Sequence, residues 1–404
     1  MSYKSLFKLY VMNDIDTFNK IYYDRFNSNS TILFDLKINN NQAFFNYDKF
    51  IMMKISKIKE LNIIINELID TLPPIVIEQY KEKCLIEEIN QTNSIEGVLS
   101  SKIELNDLLN EIEKSNQVKN KFYEIVLKYK MMDDDNISIK TNKDIRGLYD
   151  CLLYSLIQEE NPNNLPDGKL FRKDKVYVFS GTNKIIHEGI FPENDIAIYL
   201  EKALSILNDL SIDVLVRISV FHYIFGYVHP FYDGNGRINR FITSYYLSKY
   251  FNKLMGYRLS NIINEFLSDY MNAFKQTNDI RNKADISTFV DSFLNIISKS
   301  FEKTLEEIID KKEKYDIYQI IIEKLIDGNK LEKEILSLLM TSSLFGSFGI
   351  SKTKLCKLVK RGNTIVTGIL VNLKKLGLCK DFKSGRHIYY QANLKILDDL
   401  IVKL

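Results

Sequence analysis

The chain has 404 residues, 45% hydrophobic and 26% charged, with a formal net charge of +3, which is the composition of an ordinary soluble globular protein long enough for two or three domains. Its four cysteines, Cys84, Cys151, Cys356 and Cys379, are scattered without a Cys-x-x-Cys pair, which excludes a disulfide framework and a zinc site and points to a reducing cytosol. Met1 to Tyr10 carries two lysines and lacks the apolar core of a signal peptide. The longest apolar run, Val214 to Val228, is interrupted by Arg217 and His222 and is too short to span a bilayer, so a cytoplasmic protein without membrane contact is expected.

Residues 1–50 are aromatic and Asn-rich without a clear period and read as short elements packed on the main body. From Phe50 to Asp70 apolar residues recur at helical spacing (Ile51, Ile55, Ile58, Leu61, Ile65, Leu68). Pro73-Pro74 ends that helix, because proline lacks an amide proton and clashes with the preceding turn. A second helix is expected from about Ile75 to Ser94, closing near Gly97 as a left-handed cap. A third is expected over residues 100–115, with Ser101 and Glu104 forming a capping box. Residues 118–160 hold two more helical patterns separated by Asp133-Asp134-Asp135-Asn136, and residues 161–168 form a loop. Lys175 to Phe179 has β character, Gly181-Thr182-Asn183 is turn chemistry, and Lys184 to Glu188 returns, the one hairpin expected in the first 300 residues. Helices follow over residues 192–208, 211–228 and 235–252 and continue to about Lys330. The last segment differs: short helices over 331–341, 351–359 and 363–376 precede a stretch, Leu378 to Gln391, that alternates around Lys383-Ser384-Gly385-Arg386. Three helices and a basic hairpin are the order of a winged helix-turn-helix. From Leu331 onward thirteen Lys/Arg face five Asp/Glu, a net +8 that leaves −5 for the rest of the chain and hints at a basic partner-binding module.

The densest chemistry lies in His229-Pro230-Phe231-Tyr232-Asp233-Gly234-Asn235-Gly236-Arg237-Ile238-Asn239-Arg240. A helix expected to start at Gly234-Asn235-Gly236 presents unpaired amides and a partial positive charge, and glycines let a phosphate approach the backbone. Arg237 and Arg240, three residues apart, can both project from that helix end, and the planar guanidinium suits phosphate oxygens. Asp233 is a candidate Mg²⁺ ligand. His229 titrates near neutrality in its reference state and can act as a base toward a hydroxyl, a role typically worth ~10²–10⁴-fold. Phe231 is expected to anchor the loop in the core.

This stretch fits His-x-Phe-x-Asp-Gly-Asn-Gly-Arg-x-x-Arg at every specified position and so resembles the Fic (filamentation induced by cAMP) family. The resemblance implies a mainly α fold, with a helical core over residues 116–305 and a small β-hairpin flap, preceded by an N-terminal helical region over 1–115 that carries an inhibitory helix. A connecting helix over 306–330 and a winged helix-turn-helix over 331–404 would follow. It also implies transfer of AMP from Mg-ATP to a Ser, Thr or Tyr hydroxyl of a target protein. His229 would be the base, Asp233 the Mg²⁺ ligand, Gly234, Asn235 and Gly236 the anion cradle, and Arg237 and Arg240 the triphosphate contacts. The hairpin over residues 176–186 lies where the family places the flap that holds the target segment as an added strand. Tyr270 and Asn278 match nucleotide-contacting positions, although Met271 stands where a second tyrosine is common. Gly236 occupies a position where phosphorylating relatives carry lysine, which argues against kinase activity.

Upstream, Thr92-Asn93-Ser94-Ile95-Glu96-Gly97 fits the family's inhibitory pattern Ser/Thr-x-x-x-Glu-Gly/Asn, which implies that Glu96 pairs with Arg240 and keeps it from the γ-phosphate. Breaking such a buried pair costs about 3–5 kcal/mol, enough to hold the active form to a small population. Two other functions remain compatible with the sequence: removal of AMP from a modified protein with Glu96 positioning water, and DNA-binding regulation with a nucleotide-sensing core. His222, seven residues before His229 on an apolar helix, reads as a packed core histidine. His187 reads as a flap or loop residue, and His387 lies in the wing. The basic C-terminal segment suits DNA, through Lys383, Arg386 and a helix bearing Asn363, Thr364, Thr367 and Asn372, or a protein partner, and a homo-oligomer is compatible with the chain.

Overall fold

A computed structural model of the chain describes residues 3–113, 118–133, 137–179, 185–326, 329–384 and 387–401. The protein is mainly α, with seventeen α-helices and three small antiparallel sheets among those residues. It divides into two compact units, Met1–Ile63 with Glu87–Glu302, and Ile64–Ile86 with Lys303–Leu404.

The first unit begins with α1 (Leu6–Met12) and α2 (Ile15–Phe26), then the hairpin β1 (Thr31–Ile38) and β2 (Asn41–Asn46). This hairpin corrects the expectation of only one in the first 300 residues. Its turn is Asn39-Asn40, both left-handed at φ 48° and 64°, the geometry that matches strand twist and that asparagine tolerates. The N-terminal elements are tied down by Asp285, which accepts from Tyr3 Oη at 2.6 Å and pairs with Arg25 at 2.9 Å. Backbone bonds from Phe44 to Ala284 and Ile286 extend the hairpin onto the same segment.

Next come α3 (Lys49–Asp70) and α4 (Pro74–Ile95), of which residues 49–63 and 87–95 belong to this unit, then α5 (Lys102–Glu113), α6 (Tyr123–Lys130) and α7 (Asn142–Glu160). Helix α4 stops where Gly97 turns left-handed at φ 75°. The expected capping box on α5 is half formed: Ser101 Oγ accepts from the Glu104 amide at 3.1 Å, while the Glu104 carboxylate accepts from Asn120. The complete capping box is on α7, between Thr141 and Asp144. The hairpin β3 (Tyr177–Phe179) and β4 (Ile185–Glu188) pairs Val178 with His187; its expected turn, Gly181-Thr182-Asn183, lies outside the described residues, as do Asp134, Asp135 and Asn136.

Helices α8 (Glu193–Asn208), α9 (Val214–Val228) and α10 (Asn235–Tyr250) form the centre. Every residue of α9 except Val214 and Gly226 is buried, as its all-round apolar sequence requires. Helices α11 (Leu259–Glu265), α12 (Leu267–Asn278) and the first part of α13 (Ser287–Leu325) complete the unit.

The second unit takes residues 64–86 of α3 and α4 and the remainder of α13, a 39-residue helix that includes most of the helix expected at 306–330. It adds α14 (Lys330–Phe345), β5 (Ile350–Ser351), α15 (Lys352–Leu358), α16 (Asn363–Lys375), β6 (Cys379–Ser384), β7 (His387–Ala392) and α17 (Leu394–Ile401). The three strands lie in the order β5-β7-β6, all antiparallel; β5 and α17 were not anticipated. Ile335, Leu339, Leu355, Val366, Leu370, Leu373 and Leu397 form its core. Within this unit α4 is held by Tyr80 donating to Glu307 at 2.9 Å and by ion pairs of Lys83 with Glu307 and of Glu82 with Lys354.

Candidate active site

His229 caps α9 in the left-handed conformation, φ 52° and ψ 63°, which a non-glycine residue adopts only when its surroundings enforce it. The enforcing group is Arg172, fully buried just before the β3–β4 hairpin. Its Nε donates to the His229 carbonyl at 2.9 Å, Nη1 to the Asp174 carbonyl at 2.6 Å, and Nη2 to the carbonyls of Ile190 at 2.7 Å and Val228 at 3.4 Å. One guanidinium thus joins the loop of His229 to both feet of the hairpin. Sequence reasoning missed it, because a lone arginine 57 residues before its partner carries no local signal.

Gly234 follows at φ 83°, and a β-carbon there would lie 2.4 Å from Leu153 Cδ1, so both conformation and space demand glycine. The Asn235 carboxamide is committed to the loop, donating to the Phe231 carbonyl at 2.8 Å and accepting from the Phe231 amide at 2.9 Å. Any anion hole at Asn235 is therefore made by its backbone amide. Phe231 is buried and stacked on Tyr149 at 4.1 Å, the anchor expected of it.

The arginines differ. Arg237 Nη2 pairs with Asp233 Oδ1 at 3.0 Å, an oxygen that also accepts the Gly234 amide, while Arg237 Nε and Nη1 are buried without a partner among the described residues. Two buried guanidinium donors without a partner at a helix N-terminus are groups that an anion's oxygens would satisfy. Arg240 is engaged by α4. It donates Nε to Thr92 Oγ1 at 2.8 Å, and Nη2 to the Thr92 carbonyl at 3.0 Å and to Glu96 Oε1 at 2.7 Å. Thr92 and Glu96 are one turn apart at the C-terminus of α4, where carbonyls lack intrahelical donors and the helix dipole is negative, so a cation docks there twice favoured. Glu88, one turn earlier, is fully buried and accepts from the Ser260 amide at 2.7 Å, the Ser260 hydroxyl at 2.6 Å and the Ser244 hydroxyl at 3.3 Å. The three residues form a polar spine along α4, of which only the last two carry a sequence signal.

The Glu96 carboxylate lies on the glycine cradle itself. A β-carbon on Gly236 would be 2.0 Å from Glu96 Oε1 and 2.7 Å from Arg240 Nη1. Burial pushes the Glu96 carboxyl up, but the adjoining Arg240, with Arg237 and His229 behind it, outweighs burial and holds it below the usual carboxylate range. Burial, then the charges of His187 and Arg172, take the His229 imidazole down to about 4 against the opposing pull of Glu96, so it is neutral at physiological pH, the form a base needs.

Glu96, His229, Asn235, Gly236, Arg240, Tyr270 and Asn278 line one cavity of about 210 Å³, together with Val178, Ile186 and His187 of the hairpin. Asp233, Gly234 and Arg237 are not on its wall. The volume is below the roughly 300–1,000 Å³ usual for small-molecule sites, as expected with a carboxylate filling the cradle. On the α12 side, Tyr223 Oη donates to Asn278 Oδ1 at 2.8 Å, and the Tyr270 hydroxyl meets His222 Nε2 at 2.7 Å. His222 is a buried core histidine, as anticipated, and His187 Nε2 is fixed by the Tyr227 carbonyl at 2.6 Å. His387 Nδ1 and Nε2 belong to a side chain outside the described residues. Among the described residues no group of three His, Cys, Asp or Glu could hold a metal alone, and no helix is long and apolar enough to cross a membrane. A single carboxylate such as Asp233 suits a cation that keeps its waters and is bound mainly through phosphates.

The Fic/DOC family model matches residues 141–247, which span α7 to most of α10. A Fic family protein from Desulfovibrio desulfuricans G20 is similar in structure, at 16% identity and a TM-score of 0.50 over 86% of this chain and 97% of that one. Fic-1 of C. elegans (residues 134–508) aligns at 17% identity and TM-score 0.44 over 65% and 73% of the two chains. A Fic-domain-containing signaling protein of Bacteroides thetaiotaomicron aligns at 18% and 0.43 over 65% and 96%. No curated protein matches the chain.

Proposed function

We propose that this chain, whose residues 141–247 belong to the Fic/DOC family, is a protein adenylyltransferase held inactive by its own Glu96. The observation that carries this reading is the 2.7 Å pair between Glu96 Oε1 and Arg240 Nη2, lying over Gly236 in the cavity that contains His229.

When Glu96 withdraws, Arg240 and the amides of Asn235 and Gly236 become free for phosphate oxygens, and Arg237 offers its two unpartnered donors. Mg²⁺ bound with the nucleotide would be held by Asp233 and would neutralise phosphate charge. Tyr270 and Asn278 face the adenine side. The hairpin edge holds the target segment as an added strand, which brings a Ser, Thr or Tyr hydroxyl to His229. The neutral imidazole takes the hydroxyl proton, the oxygen bonds to the α-phosphorus, and the bond from that phosphorus to the bridging oxygen breaks with release of pyrophosphate. Arg172 holds the base in its left-handed position throughout.

The test is Glu96→Gly incubated with ATP labelled at the α- or the γ-phosphate. α-Label on protein, stronger than in the parent, supports the reading; γ-label on protein makes the enzyme a kinase and rejects it. His229→Ala should abolish transfer. A second reading rests on the ionised Glu96 carboxylate sharing the cavity with His229, where it could orient a water to remove AMP from a modified protein. Release of AMP by the parent but not by Glu96→Ala, with no transfer of either label, would select it.

A further inference from the structure

The second unit carries a face that the proposed transfer does not use. Residues 351–386 contain ten Lys/Arg and one acid, Asp381. The structure sorts these charges. Lys374 pairs with Asp381 at 2.5 Å, and Lys354 with Glu82 at 2.8 Å. Lys357, Lys360 and Arg361 are exposed at the end of α15 and in the turn before α16, and Lys380 and Lys383 are exposed on β6.

Helix α16 buries Val366, Leu370 and Leu373 against its own unit. Thr364, Thr367, Gly368, Val371 and Lys375, spaced at three and four residues, share the opposite face and are all exposed. A β-carbon on Gly368 would meet nothing within 4 Å among the described residues, so the middle of that face is open, and the neighbouring Lys352 Nζ reaches its edge at the Thr367 hydroxyl at 3.5 Å. Its side chains are small and uncharged down to Lys375, which leaves the helix narrow and able to approach a surface closely. Asn372 is turned onto Glu332 at 2.5 Å and is removed from the face, contrary to its expected place there; Arg386 lies outside the described residues.

We propose that this helix–strand–helix–helix–hairpin module is a winged helix that binds double-stranded DNA through α16. The helix enters the major groove, which is ~12 Å wide and admits one α-helix. Lys357, Lys360 and Arg361 meet phosphates at its head, and Lys380 and Lys383 of the hairpin meet phosphates beside it. Thr364, Thr367 and Val371 offer methyl groups and two hydroxyls rather than bidentate base contacts, so phosphate contacts dominate and base selectivity is modest. An acidic protein surface is the other class of partner for such charge, but a slender, small-residue helix flanked on two sides by cations matches a groove between two phosphate rows better than a flat patch.

The experiment uses the full chain and fluorescence anisotropy of a labelled ~25-base-pair duplex across a salt series from about 50 to 200 mM. Binding is expected to weaken linearly in log–log salt with a slope of about −0.9 per phosphate contacted, near −4 for four or five contacts. Lys357→Glu and Arg361→Glu should each weaken binding about tenfold and flatten that slope. Thr364→Glu should do as much without harming the fold, since an acidic residue in the first turn of a helix is favourable. Lys395→Glu, the same charge change at an exposed position of α17, should have little effect. The proposal is overturned if no duplex binds at the lowest salt, if Lys395→Glu costs as much as Lys357→Glu, or if polyglutamate displaces the duplex as well as unlabelled duplex does, which would assign the face to acidic protein.

Discussion

The Nε of Arg172 lies 2.9 Å from the carbonyl oxygen of His229, and the same guanidinium reaches three further carbonyls. Among the described residues it has no carboxylate partner, so its charge is balanced only by backbone dipoles, and burial holds its pKa below the usual arginine value. Arg172→Met leaves those carbonyls without their donor, at an expected cost of about 2–4 kcal/mol in unfolding free energy. Stability alone would not distinguish a structural role. Arg172 also helps depress the His229 pKa, so in the Glu96→Gly background adding Arg172→Met should move the acid limb of the transfer rate toward neutral pH. An unchanged pH profile in a folded variant would reduce Arg172 to a scaffold.

Glu96 makes a second prediction, about acid. Its carboxyl is held below the ordinary range, chiefly because Arg240 outweighs the opposing effect of burial. A depressed carboxylate contributes its stabilisation in full above the unfolded value and loses it only as pH falls through the folded one. Mild acidification should therefore not open the site. The ratio of transfer by Glu96→Gly to transfer by the parent should be the same at pH 5.5 as at pH 7.5. A parent that activates on moving to pH 5.5 would place the latch proton elsewhere.

What was legible in the sequence was legible because it is local. His229, Asn235, Gly236 and Arg240 fall within twelve residues, and the structure sets them on one cavity wall with Glu96. The helices were readable from their apolar spacing. Arg172 and Glu88 were not, since each acts on groups 57 and 172 residues away and stands alone in its own segment. The first hairpin was missed for a different reason. Its signals were present in β1, where buried Phe34, Leu36 and Ile38 alternate with exposed Asp35 and Lys37 before the Asn39-Asn40 turn, but β2 buries Ala43, Phe44 and Phe45 in succession and so lacks the alternation that marks a returning strand.

Glu88 provides a third prediction. Its carboxylate satisfies the Ser260 amide and two hydroxyls inside the core, and burial raises its pKa. Glu88→Gln keeps one acceptor oxygen and should be tolerated. Glu88→Ala strands the Ser260 amide and should cost about 1–3 kcal/mol in denaturant unfolding. Because Thr92 and Glu96 follow on the same face of α4, the alanine variant should also raise basal transfer, whereas a variant destabilised elsewhere by the same amount should not. Equal basal transfer in the two variants would separate Glu88 from the latch.

The Tyr270 hydroxyl is the last. The Thr243 hydroxyl donates to the Asn239 carbonyl at 3.0 Å, so it accepts from His222 Nδ1, which leaves Nε2 as an acceptor for the Tyr270 proton. Burial pushes His222 well below its ordinary pKa, which agrees with this neutral tautomer. The Tyr270 proton is thus committed inward, and its oxygen lies beside the Arg240 guanidinium. In the Glu96→Gly background, Tyr270→Phe should lower stability by about 1–3 kcal/mol by stranding His222 Nε2. ATP affinity should change less than about threefold, while Tyr270→Ala loses the stacking surface and weakens ATP by about tenfold or more. Both proteins should lose stability as pH falls below about 6.5, because the unfolded chain takes up the His222 proton that the folded one refuses. Isothermal titration with ATP alongside denaturant unfolding separates these effects, and a Phe variant that loses affinity as severely as the Ala variant would mean that the hydroxyl, not the ring, holds the nucleotide.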